Sequence, residues 1–254
     1  MRRSRTWILG AVLLAAIATL PGYGQKSAPA GSKEAMAVVD KLIEALGGRK
    51  LLESIKDTTK SGTAEIVQYG ITVPVTIYMK EPDKLRMDII IATAEANMTV
   101  IQAFDGQKGW YTNLQTGATE EMPDFMAREL ARGATENQAL LNPRKTGVTY
   151  ALKPKEAIEG TDYIVLEQTL ADGHKTTICL DPETYLPYKS VSRAMDQSGA
   201  EVDSEEYSTN YQKAGGVMIP YSLRQVQNGS DAMRITITAV TFNTNLDDAF
   251  FTLK

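Results

Sequence analysis

The chain is 254 residues long and contains 27 basic residues, 31 acidic residues, one histidine and one cysteine. Arg2, Arg3 and Arg5 lie near the N-terminus, so residues 25–254 carry a net charge of 24 minus 31, or −7. This balance excludes nucleic acid as an expected partner, because phosphate binding requires clustered lysine and arginine. A single cysteine excludes an internal disulfide, so the fold must be held by its apolar core.

The first 24 residues have the features of a cleaved secretory signal peptide. Basic residues precede an apolar run from Trp7 to Leu20, and Gly22 and Gly24 are the small residues expected before cleavage at Gln25. The run of 14 residues is shorter than the ~20 that a helix needs to span a bilayer. No cysteine follows the run directly to take a lipid. We therefore expect a periplasmic protein without a lipoprotein anchor.

The sequence divides into a signal peptide, a short polar spacer and one folded domain, over residues 1–24, 25–33 and 34–254. The domain begins with an amphipathic pattern, because Met36, Val39 and Ile43 recur three and four residues apart. The pair Gly47–Gly48 is expected to end this helix, because a left-handed C-cap favours glycine. A second short helical piece is expected to follow, up to Ile55.

After Lys56 the apolar period changes to two and mostly stays so to the C-terminus, which predicts β-strands. Turn sequences such as Asp105–Gly106 and Asp172–Gly173 separate the runs, as in β-hairpins. The pattern predicts a meander of about ten to eleven antiparallel strands.

One segment, residues 123–141, interrupts the strands with a helical pattern. It opens with a proline and an aspartate, which suit the first turn of a helix. Phe125, Met126 and Leu130 are its main apolar residues, and a central glycine weakens it by about 1 kcal/mol relative to alanine. A weak helix inserted in a sheet is either a movable lid or a cover that stays packed on one sheet face.

Most of the predicted strands are apolar on one face only, and two helices are too few to cover a flat sheet of this size. A strongly curved sheet with an apolar concave face resolves the mismatch and leaves a cavity. Leu85 and Met87 alternate with Arg86 and Asp88, and we expect the apolar pair to face the cavity.

The predicted ligand-binding positions of the apolar cavity are Ile77, Met79, Leu85, Met87, Ile89, Met98, Val100, Ile235 and Ile237, with Phe125, Met126 and Leu130 on the lid. A register error of one residue would exchange the two faces.

Six short motifs follow one another in a specific order. They are Ala45–Gly48, Lys60–Thr63, Met79–Asp88, Ala103–Trp110, Asp181–Pro187, and Tyr211 with Gly215–Pro220. In this order the chain resembles the periplasmic outer-membrane lipoprotein carrier superfamily, the LolA/LolB-like proteins, over residues 34–253. The resemblance implies an α+β fold that is mainly β: an incomplete antiparallel β-barrel whose helices cover an apolar concave face that accepts acyl chains. In the true carrier a basic residue latches the lid at the turn where this chain has Glu81.

No residue pattern predicts catalysis, a metal or a cofactor. His174 lies in a hairpin turn and has no nucleophile motif to serve, so no enzyme is expected. Cys179 lies in an apolar strand, where packing is the expected role and a reactive thiol the alternative. The pair Glu205–Glu206, with Glu201 and Asp203 nearby, predicts a solvated strand edge, with a cation site as the alternative.

Two functions fit these expectations. The first is a periplasmic binding or carrier protein that holds a lipid or lipoprotein acyl chain in an apolar cavity, in outer-membrane lipoprotein sorting. The second is an envelope protein-interaction or stress-sensing module of the same fold with no transported cargo. The expected partners are therefore a lipid or acylated protein, an envelope protein, and transiently a membrane or a membrane-bound partner.

Overall fold

The computed structural model describes residues 31–92, 97–196 and 198–252, so the predicted signal peptide and most of the predicted spacer lie outside the described residues. The helices are α1 Lys33–Leu46, α2 Arg49–Ser54, α3 Asp124–Ala134, α4 Glu136–Leu141 and α5 Pro143–Thr146. The strands are β1 Asp57–Ile66, β2 Ile71–Lys80, β3 Lys84–Ala92, β4 Asn97–Phe104, β5 Gly109–Thr112, β6 Thr119–Glu121, β7 Thr149–Ile158, β8 Thr161–Thr169, β9 Lys175–Leu180, β10 Pro187–Met195, β11 Glu201–Ala214, β12 Val217–Gln227 and β13 Ser230–Phe242.

All of these strands belong to one antiparallel sheet. Their order is β6-β5-β4-β3-β2-β1-β13-β12-β11-β10-β9-β8-β7, so β1 lies between β2 and the C-terminal strand β13. The sheet is curved and remains open between its edge strands, β6 and β7. This confirms the predicted mainly β fold, an incomplete barrel with few helices.

The sheet has 13 strands rather than the expected ten to eleven, and the two additional ones are its edges. Strand β6 spans three residues, too few for an alternating pattern. In β7, Pro154 and its charged neighbours interrupt the apolar alternation. Proline lacks a backbone donor and is tolerated at sheet edges, so the residue that hides β7 in the sequence also suits its position.

Helix α1 forms where the apolar spacing predicts it. The Ser32 hydroxyl accepts a hydrogen bond of 3.1 Å from the Ala35 amide, which caps the N-terminus. At the other end Gly47 has a φ of 132° and its amide donates to the Glu44 and Ile43 carbonyls. Val39, Leu42 and Ile43 on the apolar face of α1 are buried against the sheet, and Met36 is partly buried.

The central strands are fastened by a buried carboxylate. Asp57 is 3% exposed and accepts hydrogen bonds from the Thr244 amide, the Thr244 hydroxyl and the Asn245 amide. Burial acts to raise the pKa of Asp57, but these hydrogen bonds outweigh it and lower the pKa. The contact ties the start of β1 to the segment that follows β13.

The helical segment predicted over residues 123–141 consists of two helices, α3 and α4. They meet at Thr135, whose hydroxyl donates a hydrogen bond of 2.8 Å to the Ala131 carbonyl. Such side-chain bonds to the preceding turn weaken or bend helices.

Candidate functional site

One face of the sheet carries all nine predicted cavity positions. Residues directly opposite each other in antiparallel strands share a face. Met79 pairs with Leu85, and Met87 lies on the same face because it pairs with Ile77. The cross-strand pairs place Ile77, Met79, Leu85, Met87, Ile89, Met98, Val100, Ile235 and Ile237 together. We call this the inward face, because α1 and α3 pack on it.

The opposite, outward face carries the charged residues of β3. Arg86 donates hydrogen bonds of 2.7 and 3.1 Å to the Asp88 carboxylate. Its guanidinium also lies 4.0 Å from the ring centroid of Phe250, which covers this face with the C-terminal 3₁₀ turn Asp248–Phe251. The register thus separates the Arg86–Asp88 pair from Leu85 and Met87.

Part of the inward face forms an apolar cluster of its own, distinct from the main core around α1. We call it the apolar sector; its members are Ala64, Ile66, Val73, Val75, Ile77, Met87, Ile89, Met233 and Ile235. Val75 is 2% exposed, whereas Ile77, Met87 and Ile89 are only partly buried. The sector therefore has a packed base and a partly accessible surface.

Helix α3 connects distant parts of the sheet. It packs on β3, β4 and β5, where Gly109 lies so close to Ala127 that a Cβ atom would be 2.9 Å from the Ala127 methyl. On its other side Arg132 forms an ion pair of 3.1 Å with Asp172 in the β8–β9 hairpin. The Phe125 ring also lies against Gly199 in the β10–β11 hairpin. The helix therefore bridges the opening between the two halves of the curved sheet.

The concave side of the sheet, where helices α3 and α4 lie, is called the hollow below. The predicted lid residues Phe125, Met126 and Leu130 are all partly buried along α3.

His174 is a neighbour of the Arg132–Asp172 contact. Burial, and then the positive charge of Arg132, lower the pKa of His174. The hairpin that carries the only histidine is therefore the attachment point of α3.

Glu81 attaches α4 to the turn between β2 and β3. Its carboxylate accepts hydrogen bonds of 2.7 Å from Asn137 Nδ2 and 2.6 Å from Gln138 Nε2. The resemblance implied a basic residue at this turn that latches the lid. Here the contact has the reverse polarity, because the turn supplies the acceptor and α4 supplies the donors.

A cleft of about 240 Å³ lies beside this contact. It is lined by Leu52, Glu53, Ile55, Lys56, Glu81, Asn137, Gln138, Leu141 and Asn142. Its volume is below the ~300–1,000 Å³ of typical small-molecule sites, and most of its lining is polar. A second, open cleft of about 490 Å³ lies at the junction of α1 and α2. The nine predicted cavity positions border neither cleft, so their role in binding stays a prediction.

A polar strip interrupts the inward face beside the apolar sector. One row of paired residues runs across it: Leu166, Ile178, Ser190, Glu206, Gln225, Met233 and Ile66. The two ends of this row are apolar and belong to the two packed clusters. We call its middle members, Ser190, Glu206 and Gln225, the polar strip.

Glu206 is the charged member of this strip. Burial raises its pKa to about 7, and the negative charge of Glu136 on α4 adds to the effect while Lys60 opposes it. The side chain is nevertheless exposed to water.

The prediction that Glu205–Glu206 marks a solvated strand edge is wrong. Strand β11 lies between β10 and β12, inside the sheet, so its side chains alternate between two faces. Glu205 faces outward, where it accepts a hydrogen bond of 2.6 Å from Tyr207 and lies 3.4 Å from the Lys189 ammonium. The sequence pattern therefore missed Glu206 as an inward-facing group.

The alternative of a cation site there also finds no support. Glu201 and Asp203 form ion pairs of 2.8 and 2.7 Å with Arg193. Within the described ranges, no group of three or more histidine, cysteine or carboxylate side chains is arranged to hold a metal ion.

The single cysteine is a packing residue of the sheet. Cys179 is 0% exposed, and burial raises the pKa of its thiol to about 11. A thiol that stays protonated at neutral pH is a poor nucleophile. This environment agrees with the packing role expected from the sequence.

No protein-family model matches the chain, and no curated protein matches it either. Solved structures do match. A putative outer-membrane lipoprotein-sorting protein domain from Vibrio parahaemolyticus superposes with a TM-score of 0.57 at 15% identity, covering 86% of this chain and 96% of that one. A LolA superfamily protein from Nitrosomonas europaea gives 0.56 at 16% identity, covering 86% and 97%. The chain has a LolA/LolB-like fold.

A DUF1329 family protein from Desulfovibrio piger is similar to the same extent, with a TM-score of 0.57, 14% identity and coverage of 87% and 98%. The LolA/LolB-like likeness thus extends over nearly the whole of each matched chain. It confirms the fold that the six sequence motifs implied. Among the helices in the described ranges, none combines the length and apolar character needed to cross a membrane.

We predict that Glu81→Ala loosens α4 without unfolding the sheet. Hydrogen bonds to charged groups contribute about 1.5–3 kcal/mol each, so amide hydrogen exchange within residues 136–141 should accelerate by about tenfold or more. Glu53→Ala is the matched control, because Glu53 lines the same cleft but makes only a 3.7 Å contact with Arg49. Unchanged exchange in Glu81→Ala, or equal acceleration in the control, would contradict the latch.

We predict that Glu206→Gln stabilises the protein at alkaline pH. The folded pKa of about 7 exceeds the ordinary value of 4.5, so folding favours the protonated form. The carboxyl therefore costs stability progressively as pH rises from about 4.5 to 7, and the full penalty remains above that range.

Thermal unfolding at pH 8 and pH 5 tests this sign. Water around the exposed side chain reduces the penalty. We therefore expect the melting temperature of Glu206→Gln to rise by about 2–4 °C at pH 8 and by less at pH 5. Glu205→Gln is the control. Its melting temperature should not rise, because the substitution removes an ion pair with Lys189. A melting temperature that falls in Glu206→Gln at pH 8 would refute the prediction.

Proposed function

We propose that this protein is a periplasmic binding or carrier protein that holds an apolar chain of a lipid or acylated protein in its hollow. The observation that carries the proposal is the partly accessible apolar sector on the inward face, together with helix α3, which packs on β3 and bridges the two halves of the sheet. Each methylene moved from water into apolar surroundings gains ~0.8 kcal/mol, so binding needs no catalytic group.

The contacts of α3 with the hairpins across the opening suit a lid. The Arg132–Asp172 pair is partly exposed, and exposed ion pairs contribute about 0–1 kcal/mol. The Phe125 ring lies against Gly199 on the far side. Helix α4 is held both by the two side-chain amides that donate to Glu81 and by Ala139 and Leu141, which are buried in the main core. Lifting α3 would uncover the part of the inward face on β3, β4 and β5 on which it packs, beside the apolar sector.

The sequence supports the proposed location, and the shared fold supports the proposed partners. The signal-peptide features of residues 1–24 support a periplasmic location. A fold shared with a putative lipoprotein-sorting domain and a LolA superfamily protein supports a lipid or an acylated protein as the cargo. A carrier of such cargo meets a membrane or a membrane-bound partner only transiently, in outer-membrane lipoprotein sorting.

A second candidate function is an envelope protein-interaction or stress-sensing module with no cargo. One observation favours it: residues at the base of the apolar sector already pack against one another, with Ala64 1% and Val75 2% exposed. A hollow filled by its own side chains would leave the lid or the strand edges as the binding surface. Uptake of an apolar probe distinguishes the two functions.

We predict that Met87→Arg abolishes binding of an apolar probe while the protein stays folded. Met87 lies on the inward face and is partly accessible, so an arginine there places a charge where the chain would lie. Ile90→Arg is the matched control, because Ile90 is three residues along the same strand and 40% exposed. N-phenyl-1-naphthylamine fluorescence, with displacement by dodecanol, measures binding.

The expected result is at least a tenfold loss of affinity in Met87→Arg and wild-type affinity in Ile90→Arg. Circular dichroism melting checks that both variants are folded. Binding that survives in folded Met87→Arg would overturn the assignment of the apolar sector as the site. A wild-type protein that takes up neither probe nor dodecanol would favour the protein-interaction module.

A further inference from the structure

We propose that the hollow selects apolar ligands that carry a cationic amine, and that the Glu206 carboxylate pairs with this amine. The inference rests on the proposed function, because it specifies the head group of a ligand whose chain lies on the apolar sector.

The position of Glu206 defines where such a head group would lie. Glu206 pairs with Gln225, which pairs with Met233, which pairs with Ile66. The next inward-facing residue of β11 is Ser208. The residues paired in turn across the neighbouring strands from Ser208 are apolar, namely Leu223, Ile235, Ala64 and Val73. The carboxylate is thus at the border of the apolar sector.

The distance from this border across the sector suits a long chain. Four strand spacings separate β11 from β2, in the order β11, β12, β13, β1 and β2. At ~4.8 Å between neighbouring strands the path along the sheet is about 19 Å. A molecule with its head at Glu206 would lay its chain across the strands and end on β2.

Glu206 has no cationic partner within bonding distance in the described part of the chain. The influences on its carboxyl are burial, the charge of Glu136 on α4 and the opposing charge of Lys60 on β1, with no hydrogen bond among them. Tyr211, on the same strand, is the other titratable group that it affects. Two carboxyl groups and one ammonium thus face this part of the hollow.

Water now solvates the Glu206 carboxylate, and an apolar chain that fills the hollow would displace this water. A carboxylate stripped of water without a partner is strongly unfavourable. A neutral ligand would therefore bind with a penalty, and an anionic ligand would add repulsion from Glu206 and Glu136. A ligand amine would replace the lost water with a charge-assisted hydrogen bond.

Three probes with the same chain and different head groups test the selection. Dodecylamine, dodecanol and dodecanoate are titrated at pH 8, below their aggregation concentrations, into wild-type protein, Glu206→Gln and Glu205→Gln. The proteins are produced with their own leader and purified from a periplasmic fraction. Glu205→Gln is the matched control because Glu205 is the adjacent carboxylate on the outward face.

We expect wild-type protein to bind dodecylamine about tenfold more tightly than dodecanol, and dodecanoate most weakly. In Glu206→Gln the amine preference should fall to about one, with dodecanol affinity unchanged or higher. Glu205→Gln should keep the wild-type order. Circular dichroism confirms that each variant is folded.

Retention of the amine preference in Glu206→Gln, or its equal loss in Glu205→Gln, would overturn the role of Glu206. If wild-type protein binds dodecanol as tightly as dodecylamine, the inference fails while the proposed function stands. If none of the three probes binds, the proposed function fails and the inference falls with it.

Discussion

The fold depends on how one curved sheet covers its apolar face. Strands that are apolar on one side must bury that side, and a sheet of 13 strands presents more apolar surface than five short helices can cover. Curvature reduces the surface to be covered by turning the face inward. Helix α1 buries one region completely, around Leu166 and Leu180, while α3 packs on β3, β4 and β5 and reaches across the opening to the β8–β9 hairpin.

This division gives the two regions of the inward face different properties. The core beneath α1 is packed and holds the structure together. The apolar sector around Met87 has a buried base and a partly accessible surface. Between them lies the polar strip with Glu206, whose side chain is exposed to water.

Much of the fold follows from the sequence because local patterns determine it. The period of two in β2 and β3 gave the correct faces for Ile77, Leu85 and Met87. Helix α1 follows from apolar spacing and a glycine end. Parity carries further information: adjacent residues of an interior strand face opposite ways, so Glu205 and Glu206 have to be treated separately rather than as one acidic edge.

Other features depend on contacts between residues far apart in the sequence. Glu81 and Asn137 are 56 residues apart, and no local pattern connects them. The edge strand β7 is hidden by Pro154, since sequence alone does not distinguish an interrupted strand from a loop. Strand β1 lies between β2 and the C-terminal strand β13. Residues from both ends of the domain therefore form the middle of the sheet.

A native mass spectrum of the protein purified from a periplasmic fraction without detergent, combined with lipid analysis of its organic extract, is the most direct measurement of whether the hollow holds an apolar chain. A stoichiometric lipid or acylated peptide in the extract is the expected result. A protein of unliganded mass that also takes up no added fatty acid or phospholipid would contradict the binding function and favour the protein-interaction module.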